Sequence, residues 1–424
     1  MQTASKNTNK KSYYETILVG TGAAGLYFGA GGPCGPCRDV LMLEKTARPA
    51  MKLLMAGSGQ CNVTHGGSIK DFTDCYGDHG SRIRTCLYKH NNLELMSFLE
   101  GLGVPLTERE DGKVFPVSMD AHDVKNALLD TCASNGVEIR QNSPVTQIKA
   151  LDEGFEVTVD YSLSKNVETY TCKNLVIATG GCSYPTTGSD GSIFRTLRED
   201  LGLKIVEPAP ALTPAFVQEY PFSELSGISL QNVGMKILAK DSKPRTFTGD
   251  LLLTHKNLSG PVIINNSRYM ATGCRLEFNF VQPETAEAVS ARLKQAAPGS
   301  SRMASAFLTE EYGLPKRFVS RLVELAITAD KKLSALTGKE ISALARGIAD
   351  KEFSISGLGG FNIAMVTRGG VSLDEVSLKT MESKRYPGLY FIGEVLDIDG
   401  DTGGYNLQFA YSSAMAAADN IFEK

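Results

Sequence analysis

The chain has 424 residues, of which 44 are Lys or Arg and 47 are Asp or Glu, for a formal net charge of −3. With the two signs balanced and no long block of either, nothing draws it generally to nucleic acid or anionic membrane, so a small-molecule substrate is expected, with no nucleic acid and no membrane as partner. No run approaches the roughly 18 apolar residues that a membrane helix needs, and nine scattered cysteines fit reduced thiols in a cytoplasmic protein better than a disulfide framework.

At roughly 100 to 200 residues per domain, two or three domains are expected. Residues 1–15 are polar and basic without the apolar core of a signal peptide, and read as a flexible tail. The stretch Thr16 to Lys45 then reads strand, turn, helix, strand. Ile17 to Val19 form an apolar run, Gly20, Gly22 and Gly25 give G-x-G-x-x-G, and Ala23 and Ala24 begin a helix. In such a unit the glycines serve a tight turn, the close approach of a pyrophosphate and helix–strand contact. The helix N-terminus offers free N–H groups and partial positive charge to phosphates. Leu41 to Leu43 make a second strand, and Glu44, followed by Lys45, stands where an acid accepts from a ribose diol. Together these predict adenine-dinucleotide binding.

Cys34 and Cys37 form C-G-P-C between the helix and the second strand. A redox pair gains its low thiol pKa by opening a helix after a strand, so a glycine-proline turn is the expected reading, with no metal site. Arg48 to Gly67 is too rich in Gly, Ser, Asn and Thr for a helix and reads as a loop. Its Lys52, Gly57, Ser58, Gly59, Cys61 and Asn62 could meet a flavin or diphosphate, or form an ordinary polar surface loop. Leu93 to Gly101 and Asp120 to Asn135 read as helices, and Lys113 to Val117 as a short strand. Val137 to Arg140, Val145 to Leu151 and Phe155 to Tyr161 read as strands, with Val145 either a backbone contact for adenine or a sheet valine.

Asn174 to Gly181 is an apolar strand running into Thr179, Gly180 and Gly181, a second place where backbone can approach a dinucleotide, followed by a loop with Ser183 and Tyr184. After Pro208 the texture becomes proline-punctuated, with short alternating segments that suggest a β-rich insert. Within it His255 is a possible substrate-side acid or base, since the reference pKa of imidazole suits proton transfer. Glu284 to Asp350 is mostly helical by composition. Ala364 to Val366 and Leu389 to Ile392 read as strands, and Gly393, Glu394, Asp399, Gly403, Gly404, Tyr405 and Asn406 lie between the last strand and a long small-residue helix. An acid after a strand can bind ribitol, and a helix N-terminus can face a partly negative ring.

With GTGAAG and Glu44, KLLMAGSGQCNVT, ATGGCSYPTTGSDG, THKNLSGP, VTRGGVSL and TMESKRYPGLYFIGEVLDIDGDTGGYNLQFA in this order, the chain resembles the BaiN-type, aminoacetone oxidase-like family of bacterial FAD-dependent oxidoreductases. The resemblance implies an α/β fold: a glutathione-reductase-like, Rossmann-type FAD domain in two parts, 16–205 and 356–424, with a β-barrel-like and helical insert at 206–355. The chain departs from the family at Gln60, where Arg is usual, at Ser58 and at Cys182; Gln60 removes a fixed charge near the expected flavin. The implied function is NAD(P)H-dependent reduction of an activated C=C bond of an enone, bile-acid-like or other small substrate, by hydride from flavin N5. Flavin oxidation of a small amine by dioxygen is the alternative. His255, Tyr405 and Tyr184 are the candidate catalytic groups. No second strand-G-x-G-x-x-G-helix unit occurs, which is compatible with NAD(P)H visiting the flavin transiently and equally with no nicotinamide at all.

Overall fold

The protein is described from a computed structural model covering residues 11–32, 39–161, 166–240 and 242–423. Cys34 and Cys37 lie outside the described residues. The chain forms two compact units, Met1–Ala209 with Met365–Lys424, and Pro210–Ala364.

The first unit is built on a seven-stranded sheet in the order Glu138–Arg140, Val40–Leu43, Tyr13–Val19, Asn166–Ile177, Phe155–Tyr161, Val145–Ala150, with Leu389–Phe391 also paired to Asn166–Ile177. Five of these strands run parallel, and their neighbours Ile17, Leu18, Leu41, Met42, Leu175 and Val176 are buried, as expected for a sheet covered on both faces. Ala23–Gly31 packs between this sheet and other helices. A Cβ on Gly29 would meet the Met42 and Cys132 side chains, and one on Gly31 would meet Met415. These glycines let the helix approach closely.

Three element boundaries differ from expectation. The first strand begins at Tyr13, inside the stretch read as a polar tail, because Tyr13 and Tyr14 find register partners in Thr171 and Cys172. The strand expected from Asn174 begins at Asn166; its polar first half pairs antiparallel with Phe155–Tyr161. The strand expected at Ala364 to Val366 is Val366–Val371, paired with Ile205–Ala211 and carrying its glycines inside the strand.

In the second unit six strands close a barrel in the order Ala215–Val217, Leu258–Ser259, Arg245–Leu253, Ser229–Leu238, Arg275–Asn279, Lys351–Leu358. The intervening chain supplies helices Ala286–Ala296, Ala304–Tyr312, Lys316–Ala326 and Gly338–Ala349, the last opened by a Thr337–Glu340 capping box. Val233, Met235, Leu251, Phe278 and Ile355 share a core with Phe318, Leu322 and Leu344 from the helices. The expected fold class holds: a Rossmann-type α/β domain and a small barrel with helices. Among the described residues no helix is long and apolar enough to cross a membrane.

Candidate flavin site

Register brings the sequence motifs together. Val19 pairs with both Leu43 and Ile177, and Ile177 with Phe391, so four parallel strands end level. Gly20, Glu44, Ala178 to Gly181 and Gly393 to Glu394 therefore emerge at one sheet edge, the carboxyl edge where doubly wound folds bind ligands. Gly20 has φ +98, and a Cβ there would sit 2.7 Å from the Ala178 carbonyl oxygen; one on Gly25 would be 2.3 Å from the Gly20 carbonyl oxygen. Gly22, by contrast, faces nearly open space, with the Ala178 oxygen 4.0 Å away, and opens Ala23–Gly31 without a side-chain cap. The free N–H groups around Ala23 and Ala24 are left for a ligand.

Glu44 is buried, and its carboxylate is held from two sides. The Thr21 N–H donates to Oε2 at 3.0 Å and the Thr46 N–H to Oε1 at 2.8 Å. The Thr46 hydroxyl lies 2.8 Å from both Glu44 Oε1 and the Arg48 carbonyl oxygen. One hydroxyl proton serves only one of these acceptors, so Oε1 keeps acceptor capacity for a ribose hydroxyl when the Thr46 proton turns to Arg48. Ser143 donates its N–H to the Glu44 carbonyl at 2.7 Å, and Val145 starts an outer strand two residues later, half-buried. Lys45 turns elsewhere: its ammonium pairs with Asp190 and donates to Ser192 Oγ at 3.1 Å. Burial alone would raise the Asp190 pKa, but Lys45 and Ser192 hold it low.

The Lys52 to Asn62 loop is a kinked 3-10 segment at Leu53–Gly59 in which Ser58 takes φ +58, followed by Cys61 at φ +61. Left-handed backbone at two non-glycine residues is strain of the kind held at functional sites. Cys61 is buried, which raises its thiol to about 12 and keeps it protonated. Oriented so that both ends are satisfied, the Asn62 amide donates to the carbonyls of Thr64 at 2.8 Å and Val114 at 3.0 Å and accepts from the Gly404 N–H at 3.1 Å. Asn62 thus ties this loop to the start of the last helix. Gln60 is met by a cation from another strand turn: Arg109 donates to Gln60 Oε1 at 2.9 Å and lies 3.9 Å above the Phe115 ring. Lys52 donates to both Glu394 oxygens, at 2.8 and 2.7 Å, pairing two residues expected at the cofactor.

Sequence reading missed two residues that follow the strand-opening Val366. Thr367 is fully buried; its hydroxyl accepts from the Cys182 N–H at 2.7 Å and the Ser183 N–H at 3.1 Å, while its own N–H donates to Glu394 at 3.0 Å. Thr367 therefore locks the glycine turn at Gly180 and Gly181 to the Glu394 loop. Beside it Arg368 has a buried Nε without a hydrogen-bond partner. The signal was VTRGGV: a threonine and an arginine just before a glycine pair. Asp397, which accepts from the Gly369 N–H at 2.9 Å and lies 3.6 Å from His79 Nε2, completes this side.

Gly403 and Gly404 have φ +125 and +95 and open Tyr405–Phe422, again without a side-chain cap. Asn406 closes the preceding loop by accepting from the Gly400 N–H at 2.8 Å and donating to the Gly400 carbonyl at 2.9 Å. Asp399 is buried in that loop. Tyr405 stacks on His65, ring centroids 5.4 Å apart, and meets Phe72 edge-on. Burial, then the hydrogen bond with Cys75, raises its hydroxyl pKa well above the usual range, a setting that holds its proton. Tyr184 differs: half-buried, it takes φ +54 at the head of a short turn whose Thr187 N–H and hydroxyl donate to its carbonyl. His255 lies in the second unit, exposed in a turn closed by Thr254 and Asn257.

The residues present fit a dinucleotide. Two uncapped helix N-termini, the open approach at Gly22 and the buried, unpartnered hydroxyls of Thr179 and Ser189 are what an extended phosphate- and hydroxyl-bearing ligand satisfies. Fold and cradle define a Rossmann-type, FAD-dependent oxidoreductase.

Residues 14–420 match the family described as HI0933-like protein Rossmann domain, and the chain belongs to that family. It is 31% identical over 416 residues to the ribosomal RNA dihydrouridine synthase of Escherichia coli (strain K12), covering 96% of this chain and 98% of that protein. The Haemophilus influenzae protein of the same name is 31% identical over 414 residues at the same coverage. The 3-dehydro-bile acid delta(4,6)-reductase of Clostridium scindens is 27% identical over 424 residues, again covering 96% and 98%. Among solved structures, a 3-ketosteroid-delta4-(5alpha)-dehydrogenase from Rhodococcus jostii RHA1 superposes with TM-score 0.50 at 13% identity over 98% of this chain and 99% of that one, a likeness of fold. The family resemblance carried by the motifs holds. The exclusion of nucleic acid is not supported, since two relatives are named for modifying ribosomal RNA.

Proposed function

We propose that this protein reduces an activated carbon–carbon double bond, the C5=C6 bond of uracil in RNA, with electrons from NAD(P)H. The observation that carries this reading is the end-to-end match, at 31% identity, to two ribosomal RNA dihydrouridine synthases. The bile-acid reductase, also matched along its length, is named for the same class of change, hydrogen added across a C=C bond. Bound FAD supplies hydride chemistry at its N5. Gly20 to Gly25, Glu44, Thr179 to Gly181, Glu394 and the Gly404 to Asn406 helix start would hold the cofactor.

Uracil C5=C6 is conjugated to the C4 carbonyl, so hydride goes to C6, negative charge gathers on O4, and a proton is needed at C5. Arg368 has donors to stabilise the developing charge. For the proton we assign Tyr184, whose left-handed backbone is unusual for so bulky a residue. The overall charge that argued against RNA is an average of unlike parts: the second unit carries eighteen Lys and Arg against fourteen Asp and Glu, the first twenty-six against thirty-three.

Anaerobic stopped-flow mixing with NADH and then NADPH tests the electron source. Rapid loss of oxidised-flavin absorbance, followed by its return on adding unmodified ribosomal RNA, is expected. Bleaching by a small amine and by neither nicotinamide would replace this reading with an amine oxidase.

A further inference from the structure

One of the positively charged segments of the second unit is a hairpin. Residues 236–256 hold five Lys or Arg and two Asp, a local excess of three positive charges, of which Lys236 is paired with Glu277 at 2.8 Å. Most of this segment is a hairpin, Ser229–Leu238 paired with Arg245–Leu253, with Ile237 opposite Arg245. At its end Lys240, Lys243 and Arg245 are exposed. One acid of the segment, Asp250, is turned to the backbone, accepting from the Asn232 N–H at 3.1 Å.

The same end carries flat groups. Arg245 lies 4.1 Å from the centre of the Tyr269 ring, and Tyr269 stacks on Phe247 with centroids 5.7 Å apart and planes 10° apart. All three are at least partly solvent-accessible. The aromatic backing limits the rotamers of Arg245, so its guanidinium is presented as a plane. Unpaired RNA is bound by this pairing of chemistries, cations along the phosphates with aromatic or guanidinium planes against the bases. A duplex hides its base faces and uses only the cations.

Resting on the RNA reading above, we propose that the end of this hairpin is a single-stranded RNA-binding surface, with Lys240 and Lys243 meeting phosphates and Arg245, backed by Tyr269 and Phe247, stacking on a base. The sequence around it, LAKDSKPRTF, shows the basic run but not the stack, because Tyr269 comes from a separate 3-10 turn, Ser267–Tyr269.

The test uses the full-length flavin-loaded protein and a fluorescein-labelled unpaired uridine-rich oligonucleotide, with binding followed by anisotropy across a salt series. Lys240→Gln with Lys243→Gln is expected to lower the salt slope by about 1.4, since each single-strand phosphate contact contributes roughly 0.7. Arg245→Ala is expected to weaken binding about tenfold, in keeping with loss of one stacked base, with a smaller loss for Arg245→Lys. Flavin reduction by NAD(P)H and thermal midpoint should match the wild type in the double lysine variant. If the wild type binds this RNA and the double variant keeps its affinity and salt slope, the hairpin assignment is overturned. Equal binding of duplex and single strand would overturn the stacking role. If the wild type neither binds RNA nor forms dihydrouridine, the underlying functional reading fails instead.

Discussion

The cofactor edge of the first unit and parts of the second use glycine and charge differently. In the first, glycines stand where backbone meets backbone: a Cβ on Gly25 would press on the Gly20 carbonyl and one on Gly404 would lie 2.5 Å from the Thr64 carbonyl oxygen. In the second unit Gly227, Gly273, Gly299 and Gly313 are turn residues with nothing within 4 Å, although Gly260 is crowded, its Cβ position 2.6 Å from the Asp250 carbonyl oxygen. At the cofactor edge Lys52 pairs with Glu394 and Lys45 with Asp190, whereas Lys240, Lys243 and Lys256 are exposed in a unit whose Lys236, Arg292 and Lys331 are themselves paired.

This contrast is sharpest in substitution. Gly25→Ala should destabilise the first unit by about 3 kcal/mol, from overpacking against fixed backbone, and should abolish FAD retention. Gly227→Ala, at φ +89 in open space, should cost only about 1 kcal/mol and leave FAD bound. Urea titration with flavin release as a second probe checks both; equal costs would erase the distinction. Tyr184→Phe should slow transfer to the double bond about 100-fold, a general-acid effect, with flavin reduction by NAD(P)H unchanged. Equal rates for Tyr and Phe would remove Tyr184 from the chemistry.

Two smaller effects concern the cradle's own strain and titration. Burial, then the Glu394 and Asp190 carboxylates, raises the Cys182 thiol to about 11 from an ordinary 9.0. A thiol held protonated in the folded state adds stability that is present below pH 9 and is lost as pH rises toward 11, because the unfolded chain ionises first. Alkylation of the Cys182 peptide by iodoacetamide, followed by mass spectrometry, should therefore rise through about pH 11, and a rise centred on pH 9 would contradict the burial assigned to it. Ser58→Gly, which relieves φ +58 at a side chain, should stabilise the protein by up to about 1 kcal/mol in the same urea titration.

Much of the cradle was legible because its parts are local. A strand, G-x-G-x-x-G, a helix and a timed acid can be read along thirty residues, and register then levels Gly20, Glu44, Gly180 and Gly393 without further information. What escaped depends on distant pairing. Thr367 acts through Cys182 and Ser183, 185 and 184 residues away, and Arg109 reaches Gln60 across 49 residues. Lys45 and Lys52 show the reverse: sequence puts both among the residues expected at the cofactor, while the structure gives each a carboxylate partner. The barrel was legible only as alternation, because short strands such as Ala215–Val217 and Leu258–Ser259 carry too little pattern to order them. Net charge hid the difference between the units, since summing over both cancelled much of it.

The central claim is that this FAD cradle serves reduction of uracil in RNA, and nucleoside mass spectrometry tests it most directly. Purified flavin-loaded protein is incubated without oxygen with NADH or NADPH and ribosomal RNA transcribed without modifications, and the RNA is then digested to nucleosides. Dihydrouridine formed at one or a few positions, and absent when the nicotinamide is omitted, is the predicted result. Flavin that is reduced by nicotinamide while the RNA gains no dihydrouridine would contradict it.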